Sequence, residues 1–130
     1  MKQLIRTDSA PAAIGPYSQA VAVDDWLWVS GQIPMDPSTG AMVTGDIEAA
    51  TRRVLDNLSA VVQAAGGTLD QVVRVTIYLT DLARFQTVNA IYAEYFSESP
   101  PARVCVEVSG LPKGAEVEMD AVVRLNEQPC

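Results

Sequence analysis

Residues 46–79 read DIEAATRRVLDNLSAVVQAAGGTLDQVVRVTIYL, and the change of rhythm inside this stretch decides the class of fold. Ile47, Ala50, Val54, Leu58, Val61 and Ala65 recur at steps of three and four, which lays apolar side chains along one stripe of an α-helix. Asp46 stands where a carboxylate can accept the free N–H groups of the first turn, and Gly66-Gly67 stops the helix. The period then disappears. VVRVTIYL (72–79) is β-branched and apolar with little turn chemistry, which predicts a strand buried on much of both faces.

Working outward, AVAVDDWLWVS (20–30) places two β-prone runs around Asp24-Asp25 and predicts a hairpin. Trp26 and Trp28, two apart, share one face of its second strand and read as packing or interface residues. PMDPSTG (34–40) is dense in turn formers and reads as a loop. A second helix is expected from about Asp81, with Phe85, Val88, Tyr92 and Tyr95 at helical spacing, ending before Pro100-Pro101. In 103–108, Arg103, Cys105 and Glu107 face one way and Val104, Val106 and Val108 the other. SGLPKG (109–114) is a turn, and in 115–124 Val117, Met119, Ala121 and Val123 alternate with Glu116, Glu118 and Asp120. An order of ββαββαββ, or close to it, makes an α+β domain with two helices on one face of a mixed sheet.

The 130 residues are the size of one ordinary domain, and 1–130 is read as a single one. Apolar residues make up 48% and charged residues 19%, a globular rather than a disordered composition. No apolar run approaches the roughly 20 residues that span a bilayer, and MKQLIRTDSAPAA has no apolar stretch of signal-peptide length. Two cysteines, Cys105 and Cys130, cannot build a disulfide framework, so a reduced cytoplasmic protein away from membranes is expected. Nine Lys and Arg against sixteen Asp and Glu leave a net charge of −7, which argues against non-specific nucleic-acid binding. There is no histidine at all. That removes the Ser-His-Asp and Cys-His nucleophile systems and imidazole acid–base catalysis, and makes a catalytic metal unexpected. Chemistry must run on carboxylates, tyrosines, arginine, lysine, hydroxyls, backbone groups or a cysteine.

If the last two strands pair antiparallel across 109–114, with Val108 opposite Ala115, Cys105 falls opposite Glu118 and Arg103 opposite Asp120. A guanidinium, a thiol and two carboxylates then share one patch, conditional on the register. Such a row is also what a solvated strand face with exposed ion pairs looks like, each pair contributing about 0–1 kcal/mol. Pro100-Pro101-Ala102 stiffens the approach to Arg103, and a pre-set arginine that grips a carboxylate with two parallel bonds is how small acids are recognised.

From IGPYSQA (14–20) and VSGQIPMDPSTG (29–40) through LDNLSAVVQAAGG (55–67), VVRVTIYLTD (72–81) and FQTVNAIYAEYF (85–96) to PARVCVEV (101–108) and LPKGAEVEMDAV (111–122), the chain resembles the reactive-intermediate deaminases called RidA, also YjgF or L-PSP. The likeness runs from about Ala12 to Val123. It implies a chorismate-mutase-like α+β fold with a six-stranded mixed sheet, assembled as a homotrimer with active sites in the clefts between subunits. It also implies a cofactor-free reaction, the hydrolysis of 2-imino acids to 2-keto acids and ammonia. Arg103 then matches the residue that binds the substrate carboxylate, with the Gly31 N–H in support. Glu118 matches the carboxylate that orients and activates water, and Cys105 the residue whose backbone carbonyl helps hold it. Tyr17 and Ser30 match pocket-lining positions, and Asn89 lies in the matching helix stretch. Pro100 departs from the family, many of whose members carry an aromatic just before PAR, and this bears on the size of side chain accepted.

Read from the residues alone, Tyr17 fits either a pocket or a buried aromatic with a satisfied hydroxyl. Ser30-Gly31 fits a strand terminus as well as a close ligand approach, and Cys105 fits an inert strand cysteine. Two rival functions stand beside imine hydrolysis. One is an endoribonuclease or translation inhibitor, a label the same family carries, against which the charge and the missing histidines speak. The other is a non-catalytic trimeric module that binds small carboxylates. Glu118 favours catalysis, because a carboxylate ligand gains nothing from a second carboxylate beside it.

Overall fold

The computed structural model describes residues 1–125; Cys130 lies outside them. Six strands and two helices follow in the order β1 (Lys2–Ile5), β2 (Ala20–Val23), β3 (Trp26–Gln32), α1 (Ile47–Ala64), β4 (Val72–Leu79), α2 (Phe85–Tyr95), β5 (Ala102–Glu107) and β6 (Val117–Arg124). The strands form one mixed sheet ordered β1-β2-β3-β6-β4-β5, antiparallel except for the parallel β4–β5 pair. This is the α+β architecture expected, a six-stranded sheet with both helices on one face. The element order differs in detail. β1 was not foreseen, because KQLI is too short and too polar to show an alternation, and one strand rather than two separates the helices.

α1 forms as its sequence dictates. The Asp46 carboxylate accepts the Ala49 N–H at 3.1 Å, and Gly66, at φ 88°, takes the left-handed turn past the last residues. The buried stripe is wider than the simplest periodic set and includes Leu55, Asn57 and Val62. It packs on Leu27, Val29, Met119, Ala121 and Val123 of the sheet, where fully buried side chains concentrate. α2 begins at Phe85, after a short 3₁₀ turn (Leu82–Arg84) that Asp81 caps. Among the described residues no helix is long and apolar enough to cross a membrane.

Asn57 is a polar side chain with no exposure, inside an apolar face. Its amide donates to the Ile33 and Met35 carbonyls, both at 3.0 Å, and its oxygen accepts from Arg53. One residue thereby ties α1 to the segment leaving β3. Asn57→Ala is expected to cost about 2 kcal/mol in chemical denaturation, since the Met35 carbonyl loses this donor and the Ile33 carbonyl keeps only the Met35 N–H. A loss below about 0.5 kcal/mol, within the range of an ordinary surface substitution, would show that the segment holds itself.

Two expectations need correction. β4 is not buried on both faces: Val75, Ile77 and Leu79 face the helices, but Thr76 and Tyr78 are half-exposed on an open face. That open face also carries Leu4, Val23, Trp26 and Trp28, all exposed. The second correction concerns β5 and β6, which do not pair. β4 lies between them, placing Val75 beside Arg103 and Ile77 beside Cys105, while Tyr78 opposes Glu118 and Thr76 opposes Asp120. The α2 crossover returns β5 parallel to β4 along one edge, and β6 takes the other edge of β4, where it pairs with β3 as well. Residues 109–114 therefore carry the chain past the end of β4, where Val108 donates to the Leu79 carbonyl at 2.8 Å and Thr80 to the Glu116 carbonyl at 3.2 Å.

Candidate functional site

Paired residues share a face, so the register separates the residues that the sequence reading had placed in one patch. Arg103 and Cys105 align with Val75 and Ile77 and face the helices; Glu118 and Asp120 align with Tyr78 and Thr76 on the open face. Within one protomer the guanidinium and the carboxylate lie on opposite sides of the sheet. The expected single patch of Arg103, Cys105, Glu118 and Asp120 does not exist there.

What exists are two half-sites. The first surrounds Arg103, whose exposed guanidinium donates to Asn89 Oδ1 at 2.7 Å. Its carbon stands 4.9 Å from the Tyr92 ring centroid and 5.4 Å from that of Phe85. Depressions flank it on either side, one walled by Phe85, Gln86 and Cys105, the other by Asn89, Tyr92, Pro100 and Pro101. Cys105 is half-buried, and burial pushes its thiol pKa up while Arg103 pulls it back. It is a protonated thiol at neutral pH, not an activated nucleophile.

The second half-site is a cleft of about 520 Å³ that gathers Tyr17, Ser30, Gly31, Met35, Lys113 and Glu118. The β3–β6 register shifts between Val29 and Gln32, a bulge that re-aims the backbone at Ser30-Gly31. A Cβ on Gly31 would overlap the Glu118 carboxylate, so any larger residue there would displace Glu118 from its present position. Ser30 Oγ donates to the Ser18 carbonyl at 2.6 Å, and its N–H to the Gln19 carbonyl at 2.9 Å. The serine thus fastens the segment bearing Tyr17, which is exposed at the rim. Burial, and secondarily the charge of Asp120, raises the Glu118 pKa above the usual carboxylate range. Asp120 in turn accepts from the Tyr78 hydroxyl at 2.8 Å.

Sequence reasoning missed Gln19, which is buried and donates to the carbonyls of Thr7, Ala10 and Pro11, holding the N-terminal segment against the cleft. An amide heading the apolar run QAVAV was the available signal. It also missed Lys113, which lines the cleft from a left-handed backbone (φ 57°) inside the LPKG turn. Among the described residues no group of three His, Cys, Asp or Glu side chains is placed to hold a metal ion.

The family model described as Endoribonuclease L-PSP matches residues 7–125. The chain is 52% identical over 122 residues to a RutC family protein of Pyrococcus horikoshii, covering 94% of this chain and 97% of that one. It is 45% identical over 122 residues to the human 2-iminobutanoate/2-iminopropanoate deaminase, covering 94% of this chain and 89% of the relative. The crystal structure of the Escherichia coli YjgF gene product superposes with a TM-score of 0.90 at 43% identity, covering 94% of this chain and 98% of that one. With this sheet order, this sequence identity and nearly complete coverage in both directions, the chain belongs to the L-PSP family, the RidA/YjgF proteins.

Proposed function

We propose that this protein hydrolyses 2-imino acids to 2-keto acids and ammonia, at sites formed where the Arg103 half of one subunit meets the Glu118 half of the next in a homotrimer. One observation carries the reading. Each half lacks what the other has: an exposed guanidinium with four N–H donors to spare, and a partly desolvated carboxylate pressed against a glycine. The apolar open face, with Trp26 and Trp28 exposed, supplies a surface for subunits to cover. The human relative's name gives the substrate class.

The chemistry needs little more. An imine carbon is already electrophilic, so orientation and one general base suffice. Arg103 grips the carboxylate with two parallel bonds, beside the Gly31 N–H. Glu118 takes a proton from water as its oxygen bonds to the imine carbon and the C=N pair moves to nitrogen. Glu118 hands that proton to the nitrogen. The hydroxyl proton of the resulting carbinolamine then follows the same route as its oxygen forms the C=O bond, the C–N bond breaks, and ammonia leaves a 2-keto acid. A raised pKa makes Glu118 a stronger base than an ordinary carboxylate.

The test adds the protein to an enamine-generating dehydratase and follows 2-keto acid and ammonia release. Faster release than in buffer supports the reading. Binding of a 2-keto acid with no acceleration would leave a small-carboxylate binding module instead. Cleavage of RNA in its place would revive the nuclease reading, against a net charge of −7. Light scattering is expected to give three times 13.9 kDa, and a monodisperse monomer would remove both the trimer and the shared site.

A further inference from the structure

We infer that Phe85 and Tyr92 are positioning residues for Arg103: with Asn89 they form a cradle on α2 that holds the guanidinium ready for the substrate carboxylate. The inference rests on the carboxylate-binding role proposed for Arg103. Positions 85, 89 and 92 are spaced by four and three, so they line one face of α2. That face looks across to β5, where Arg103 emerges. Two aromatic rings stand within 5.4 Å of the guanidinium carbon, and the Asn89 oxygen takes one of its N–H groups at 2.7 Å. A guanidinium is planar and weakly hydrated, which suits it to aromatic faces. Contacts to ring faces consume none of its donors. Those that remain are left for a carboxylate, and the long side chain is ordered before substrate arrives rather than at substrate's expense.

Tyr92 shows that the ring is what matters. The residue is 4% exposed, and its hydroxyl meets no hydrogen-bond partner among the described residues. Burial pushes its pKa up to about 12, against the pull of Arg103, so the phenol stays neutral. A hydroxyl that bonds nothing is dispensable, whereas the ring beneath the guanidinium is not. The sequence places Phe85 and Tyr92 at ordinary helix-core spacing; only the position of β5 shows that both rings also meet a cation.

The test compares Phe85→Leu, Tyr92→Leu, the double variant and Tyr92→Phe. Tyr92→Phe should keep KM within about twofold of wild type and melt no lower, because it removes an unpaired buried hydroxyl. The leucine variants should stay folded by circular dichroism yet raise KM for the imine, and Kd for 2-ketobutyrate, about tenfold together, with a smaller change in kcat. In an Arg103→Ala background the same leucine changes should do nothing further. Leucine variants with wild-type KM and Kd would overturn the proposal, as would an equal loss in the Arg103→Ala background, which would mean packing alone. Should Tyr92→Leu fail to fold, Phe85→Leu, half-buried at the helix start, carries the same comparison.

A substrate-free measurement separates this inference from the functional reading. NMR relaxation of the Arg103 Nε–H should show a rigid side chain in wild type and a mobile one in the double variant. Equal mobility in both would end the cradle even if imine hydrolysis stands. A rigid, releasable Arg103 in a protein without turnover would end the enzymatic reading and leave the cradle.

Discussion

Arg103→Ala is expected to lower kcat/KM for 2-iminobutyrate by about 10³-fold, equivalent to about 4 kcal/mol, the upper part of the range for removing one partner of a hydrogen-bonded charge pair. The variant should stay folded, because the side chain is exposed and its hydrogen bond to Asn89 lies at the surface. Arg103→Lys should recover little, since an ammonium offers a point charge where the carboxylate needs a planar fork. The measurement is the coupled deamination assay beside a thermal melt. Near-wild-type kcat/KM in the folded variant would take the carboxylate clamp away from Arg103. The substitution also opens a test of the shared site. Arg103→Ala subunits co-expressed with Glu118→Gln subunits form mixed trimers, and in a cyclic arrangement each has one site in three with both residues intact. A random equimolar mixture then recovers about a quarter of the wild-type rate from two inactive parents. No recovery would place both residues within one subunit's site, against the separation of the two sheet faces.

Glu118→Gln is the second large effect. It keeps the size of the side chain and removes the proton acceptor, so kcat should fall by about 10²-fold or more, the usual contribution of a general base. Affinity for a stable 2-keto acid should hold or tighten slightly, because a nearby negative charge has gone. The pH dependence follows from the raised pKa. Wild-type kcat/KM should rise with pH through a limb above the ordinary carboxylate range, as Glu118 ionises, and the variant should lose that limb. Stability should run the other way. A carboxyl whose folded pKa exceeds its unfolded value favours folding when protonated, and that contribution is lost as pH rises through the interval between the two values. Glu118→Gln, which cannot ionise, should therefore melt above wild type at neutral pH and nearer to it in acid. Turnover at the wild-type rate would remove Glu118 from the chemistry and leave a binding site only.

The elements themselves were legible because each depends on neighbours in sequence. The α1 stripe with its Asp46 cap, the VVRVTIYL strand and the alternation in β6 are local consequences of side-chain period and capping. The candidate residues were proposed through the family resemblance, while the absence of histidine only narrowed the chemistry to groups such as arginine and carboxylate. Local reasoning failed at β5 and β6. Two alternating runs joined by a turn-rich segment look like a hairpin, and no residue in either strand announces that β4 comes between them.

That insertion is a property of the chain's path. A helix between β4 and β5 brings the two strands parallel on one edge of β4, and β6 takes the other edge, where it pairs with β3 as well. Because side chains alternate across a sheet, the choice of neighbour also decides which face each residue joins. Composition, period and caps therefore determined the elements and the chemical types available at the site. Tertiary pairing alone decided that Arg103 meets Phe85, Asn89 and Tyr92 on the helix side while Glu118 meets Gly31 on the other, since which strand comes to lie beside which depends on contacts between residues far apart in the chain.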